Sequence, residues 1–342
     1  MLACSLNALG IDSRRPVPEF HTWLLSKTGV IRCFQAVDVP GDYCEAFGVA
    51  VEQTGEFLIL VFLGIVGACV GSFLNVVAYR LPRECMSIVR PRSRCTQCSA
   101  WISWRDNLPL LSWLLLRGRC RNCRTRISLR YPLVELTTAA WFAGAAWFLG
   151  GAQLLRGIPE QGALWLHFAV MTLIFCVLLV LALIDWDYRI LPDQLTIGGM
   201  IVGPLLAFAA PEVQHGKMLL HVAGNGVWAV RTDAALNGLL GMALGAGVLW
   251  LVGWIGSRIW KRDAMGLGDV KMIGAMGAVL GLWVFLALVV ASISGALVGV
   301  IRMAVRKDHQ IPFGPFLALG MLMVMIAGPQ ILDLWLGLAR VE

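Results

Sequence analysis

Charge is what this chain has little of. Asp, Glu, Lys and Arg make up 14% of its residues, where a soluble domain carries about 25%. With 58% hydrophobic residues and a mean hydropathy of +0.74, a large water-facing fold is excluded. Histidine is scarce as well. His21, His167, His215, His221 and His309 form no metal-ligand spacing, which argues against a zinc protease. No nucleophile elbow is present for Ser-His-Asp chemistry. Residues 1–55 lack the charged-then-apolar order of a secretory signal. They read as a weakly ordered N-terminal extension to which no function is assigned.

What remains is apolar chain. A bilayer crossing needs about 20 apolar residues, and eight segments reach or approach that length: Phe57–Tyr79, Pro132–Ala152, Leu164–Ile184, Leu195–Ala210, Ala235–Ile255, Val270–Val284, Phe285–Ile301 and Phe313–Leu336. The run Val270–Ile301 is too long for one crossing, and Gly281 is the expected turn that divides it. The fold class expected is an all-α polytopic membrane protein of about eight transmembrane helices. A first helix at 56–80 leads into a basic tetracysteine domain at 81–130, and a transmembrane core fills 131–342.

The little charge there is lies unevenly. Residues 80–130 hold twelve Arg against Glu84 and Asp106, a local charge of +10 in a chain whose total is +7. A short basic loop between crossings belongs on the cytoplasmic side. Nucleic acid would also suit the charge, but no RNA-binding module is recognisable, so no nucleic-acid partner is expected. Anionic membrane lipids are the expected partners of these arginines, worth about 1 kcal/mol each near a surface.

Two carboxylates stand out against this background. Asp185 ends the apolar run Leu173–Ile184, and Asp269 closes Gly266-Leu267-Gly268-Asp269 ahead of another. An ionised carboxylate at mid-span costs about 3 kcal/mol, so a rim position calls for a functional reading first. Counting crossings from a cytoplasmic basic loop returns both residues to the same membrane face. Two neighbouring carboxylates share a proton; one can take a proton from an attacking water while the other donates to the carbonyl and leaving amine. Gly266 and Gly268 are expected to adopt backbone angles other residues avoid and to admit a substrate backbone. The bland reading of Asp269 is a helix-capping residue on a loop. Asp187 reads equally as a solvated neighbour, and Asp193, after Pro192, as the cap of the next helix.

Cys95, Cys98, Cys120 and Cys123 form C-x2-C–x21–C-x2-C. Four thiolates close a tetrahedral zinc site with no open position, so the metal, Zn2+, would be structural. A cytoplasmic location disfavours two disulfides, and a redox switch is the remaining alternative.

Taken in order, the motifs resemble one family. Gly71-Ser72-Phe73-Leu74-Asn75 through Arg80-Leu81-Pro82 precede the tetracysteine loop, which contains Asn107-Leu108-Pro109 and Leu111-Ser112-Trp113-Leu114. Arg117-Gly118-Arg119-Cys120 and Tyr131-Pro132-Leu133-Val134-Glu135 follow. Then come the Asp185 motif through Leu191-Pro192-Asp193, Gly266-Leu267-Gly268-Asp269-Val270-Lys271, and Ile311-Pro312-Phe313-Gly314-Pro315. Residues 57–337 thus resemble the bacterial type IV prepilin peptidases, bifunctional leader peptidases and N-methyltransferases of pilus and type II secretion systems.

The resemblance implies an intramembrane aspartic endopeptidase with Asp185 and Asp269 as catalytic pair, in the bacterial inner membrane with the active site facing the cytoplasm. Its substrates would be prepilins or pseudopilins, cut after the Gly that ends a short basic leader. It also implies N-methylation of the new terminus from S-adenosylmethionine, although no Rossmann-type glycine-rich fold is evident here. Glu135, Asp187, Asp193 and Lys271 are supporting candidates. The three acids among them are the expected readers of a basic leader that the +10 loop would repel. The spacing of 84 positions from Asp185 to Asp269 exceeds the family's usual one, with 211–234 read as an insertion away from the active face. Two readings stay open beside this one: an ion- or proton-coupled transporter, and a membrane-anchored zinc scaffold.

Overall fold

The computed structural model describes residues 41–83, 87, 92–150, 161–215, 226–261, 265–306 and 312–339. The expected weak order of residues 1–55 lies outside the described residues up to position 40, and residues 41–54 are helical. The chain divides into two units, residues 1–54 and residues 55–342. The first is seen only in those helical residues; the second holds everything discussed below.

The described residues are all-helical apart from two isolated bridges, Arg94 with Trp101 and Arg119 with Arg126. The helices are α1 (Gly41–Arg80), α2 (Leu111–Leu115), α3 (Arg130–Phe148), α4 (Gln161–Tyr188), α5 (Asp193–Ala209), α6 (Val227–Trp260), α7 (Leu267–Leu280), α8 (Trp283–Arg306) and α9 (Gly314–Ala339). Each of the eight expected apolar segments overlaps a helix in its described residues. Five stretches are long and apolar enough to cross a membrane: Thr54–Arg83, Gly162–Tyr188, Val227–Ile259, Trp283–Ala304 and Gly314–Gly337. The other three, α3, α5 and α7, do not reach that length and hydropathy among the described residues, so the expected eight crossings are not confirmed.

α7 is the centre of the bundle. All its residues from Met272 to Leu280 are buried except Ala275, and its 14 residues rise about 21 Å. It packs against α5 and α6 through small residues, as membrane helices do in the absence of a hydrophobic driving force. A Cβ on Gly277 would come 2.3 Å from the carbonyl oxygen of Gly241, and one on Gly238 would come 2.4 Å from that of Ala278. The seam therefore admits no side chain. The predicted turn is present: Gly281 ends α7 at φ 60°, ψ −138°, a conformation only glycine adopts readily.

The end of α7 away from Asp269 is held by polar groups. Gln214 is 1% exposed, and its Nε2 donates to the carbonyls of Ala234 and Val279 at 2.9 Å each. Trp283 Nε1 donates to the Gln214 carbonyl at 2.9 Å. His215 Nε2 lies 2.7 Å from the Val324 carbonyl. That contact satisfies a backbone group just before the kink at Ala327 and Pro329 of α9, where a helix loses its own bonds. Of the expected insertion 211–234, residues 211–215 form this plug, 216–225 lie outside the described residues, and α6 takes the rest.

Candidate active site

Asp185 sits in the last turn of α4, directly after the fully buried Ile184, and is itself 6% exposed. A buried carboxylate needs donors. It finds one in the backbone N–H of Gly314, the first residue of α9, at 2.8 Å from Oδ2. The contact is so close that a Cβ on Gly314 would stand 2.7 Å from that oxygen. Pro315 follows, in the first turn, where its missing N–H costs nothing.

Asp269 is the third residue of α7 and is half-buried. Leu191, six residues after Asp185, packs against the neighbouring Gly268. Both aspartates therefore lie at one end of the bundle, Asp185 near the end of α4 and Asp269 in the first turn of α7. The glycines beside Asp269 work differently from the expectation. Gly266 is an ordinary extended N-cap at φ −71°, ψ 134°, and the helix is regular from Leu267. From Gly266 to Asp269 the backbone shows no unusual angle. Gly268 is small because Leu191 lies against it, with a Cβ there reaching the leucine at 3.2 Å. Gly266 is exposed beside Asp269.

The supporting residues bind the surrounding helix ends together. Asp193 does not cap α5; Pro192 is the N-cap, and Asp193 accepts from Lys271 Nζ at 2.7 Å, joining α5 to α7. Asp187 pairs with Arg130, joining α4 to α3. Glu135 is buried, and its Oε2 accepts the backbone N–H of Leu110 at 2.8 Å. Each acid expected to read a basic leader thus already has a partner within the chain. Asn75 Nδ2 adds a bond to the Tyr131 carbonyl at 3.3 Å, bringing the end of α1 to the start of α3.

The four cysteines come together as predicted. Their sulfur atoms all lie within 4.8 Å of one another, with Cys95 and Cys123 at 3.7 Å. Four thiolates at Zn–S bond length would stand about 3.8 Å apart, so the set fits zinc. The two knuckles repeat each other. Ser99 N–H donates to the Cys95 carbonyl and Arg124 N–H to that of Cys120, both at 3.0 Å, and both donors have positive φ. Hydrogen bonds to Thr125 bring the Cys123 thiol down to about 6, and those to the Ala100 backbone and the Asn122 side chain lower Cys98. Both favour the thiolate a metal requires.

Sequence reasoning missed the role of Gly314. Its only signal was a glycine before a proline in the quoted Ile311–Pro315 motif.

Two family descriptions match the chain: the Bacterial Peptidase A24 N-terminal domain over residues 65–149, which includes the cysteine module, and the Type IV leader peptidase family over residues 172–300, which includes both aspartates. A protein of Myxococcus xanthus named prepilin leader peptidase/N-methyltransferase is 39% identical over 248 residues, 72% of this chain but 64% of the relative. Proteins of the same name from Pseudomonas putida and Aeromonas hydrophila are 34% and 36% identical. They are covered over 90% and 88% of their length, and over 78% and 77% of this chain. No solved structure gives a significant match. The chain belongs to the type IV leader peptidase family.

Proposed function

We propose that the chain is an intramembrane aspartic endopeptidase that removes the basic leader of type IV prepilins or type II secretion pseudopilins, after Gly, at the cytoplasmic face of the inner membrane. The observation that carries this reading is the placement of Asp185, held by the Gly314 amide, and Asp269 at one end of the bundle. The relatives' printed names support the substrate class. They do not favour the transporter alternative.

In this mechanism the aspartates share one proton. The ionised carboxylate takes a proton from the attacking water as oxygen bonds to the scissile carbonyl carbon. The protonated carboxyl gives its hydrogen to the carbonyl oxygen. Collapse of the tetrahedral adduct then breaks the C–N bond, and a proton passes to the leaving amine. Gly314 fixes Oδ2 of Asp185, leaving Oδ1 to exchange protons. Lys271 with Asp193 and Arg130 with Asp187 hold the helix ends in register, since small misplacements of reacting groups are costly.

Cys95, Cys98, Cys120 and Cys123 would hold a structural zinc, which supplies folding energy to a segment too small for a core of its own. N-methylation of the new terminus rests on the relatives' names. A cavity of about 300 Å³ between α4, α5 and α7 is lined by aliphatic and Met side chains such as Leu173, Met272 and Met321. Gln194 is the one polar side chain in that lining, a poor match to the carboxylate and ammonium of S-adenosylmethionine.

The test is reconstitution of the purified protein with a synthetic prepilin, followed by mass analysis of the mature N-terminus. Cleavage with a free or methylated new terminus is expected. Cleavage that persists in both Asp185→Ala and Asp269→Ala would end the aspartic mechanism.

A further inference from the structure

The cysteine module carries an apolar face that its own fold leaves uncovered. Trp101, Trp104, Leu111, Leu114 and Leu115 are all exposed, Leu115 by 79% and Trp104 by 73%. They lie outside the five membrane-crossing stretches, so a lipid-facing helix surface does not account for them.

The fold holds them outward. Trp113 turns in, donates from Nε1 to the Ile127 carbonyl at 3.3 Å, and packs on Gly118, where a Cβ would meet its ring at 2.8 Å. With Trp113 inward, Leu111, Leu114 and Leu115 remain on the outside of α2. Asp106 accepts three bonds from Arg121 at 2.6–3.0 Å, tying the turn that contains Trp104 to the second knuckle. The face is built, not frayed.

Cations border it. The Arg94 guanidinium lies 4.5 Å from the Trp101 ring centre, and that of Arg105 lies 5.4 Å from Trp104. Aromatic and leucine side chains rimmed by arginine are the composition of segments that lie at a bilayer interface. The segment 80–130 has a charge of +10, which opposes a second copy of itself or a basic peptide on this face and attracts an anionic surface. The module is also joined directly to the membrane-crossing α1, so a bilayer surface is always at hand.

We propose that this face docks the cysteine module on anionic lipid, with Trp104, Leu114 and Leu115 entering the interface and Arg94 and Arg105 meeting phosphate groups. The module would then lie against the membrane. This assignment does not depend on the peptidase reading.

Hydrogen exchange of the full chain decides it, measured in nanodiscs of phosphatidylcholine alone and of phosphatidylcholine with phosphatidylglycerol. Amides of residues 101–116 are expected to exchange about tenfold more slowly with the anionic lipid. Leu114→Glu/Leu115→Glu should restore fast exchange, with metal content measured to confirm an intact module. Should that variant lose its metal, Arg94→Gln/Arg105→Gln gives the same comparison without touching α2. Equal exchange in the two discs overturns the proposal: if fast, nothing covers the face; if slow, protein does.

Discussion

The N–H of Gly314 reaches Oδ2 of Asp185 at 2.8 Å across 129 positions of sequence. One helix end therefore sets the position of a carboxylate on another. Gly314→Ala places a methyl group 2.7 Å from that oxygen, and the carboxyl must move. Leader cleavage should fall about 100-fold in kcat/KM, with little change in thermal stability. Wild-type kinetics in this variant would remove Gly314 from the site.

Asp185→Asn and Asp269→Asn keep size and remove charge. Each should reduce cleavage to background, and the double variant should be no worse than either single, because residues acting as a unit are not additive. Additive losses, read from single-turnover rates, would assign the two aspartates separate tasks.

Metal analysis tests the cysteines. Wild type should retain zinc through purification, and Cys95→Ser/Cys120→Ser should not. Without metal, the knuckle amides of Ser99 and Arg124 should lose protection in hydrogen exchange, since such modules fold with their metal. Undiminished metal in the variant rules out this site.

The seam between α6 and α7 predicts a stability loss. Gly277→Ala puts a Cβ 2.3 Å from the Gly241 carbonyl oxygen, and overpacking of this kind costs about 1–3 kcal/mol. Melting in detergent should drop accordingly. Gly247→Ala, where no atom lies within 4 Å of the new Cβ, is the control and should melt as wild type.

Asp106 gives a pH signature. Hydrogen bonds from Arg121 hold its carboxyl below the usual carboxylate range. A depressed folded value adds stability above the unfolded value, about pH 4, and that stability is lost as pH falls through the folded value. Local opening of the module should thus differ between wild type and Asp106→Asn at neutral pH and converge in strong acid. A difference independent of pH would mean the pair is not the cause.

Much of this arrangement was legible in residue patterns. Long apolar runs have a local cause, so every expected segment overlaps a helix, and Gly281 marked its turn because one backbone conformation there suits glycine. The C-x2-C spacing likewise carries its own geometry. The reach of each helix was less legible. α7 is apolar because it is packed among other helices, whereas α5 also leaves Ile201 and Leu205 exposed by 68% and 65%; burial in protein and burial in lipid select the same residues. The glycines before Asp269 were expected to bend the chain; Gly268 instead makes room for Leu191, a neighbour that no local pattern announces. Gly314 and the Glu135 contact with Leu110 escaped for the same reason. Each is a meeting of distant segments through a backbone amide, which every residue but proline possesses.

The shortness of α7 has a consequence for water. A hydrocarbon layer is about 30 Å deep, and α7 spans about two thirds of it, with Asp269 near one tip and the Gln214 plug at the other. Because α7 is enclosed by other helices and not by lipid, its shortness must be met within the protein, by water entering at the Asp269 tip.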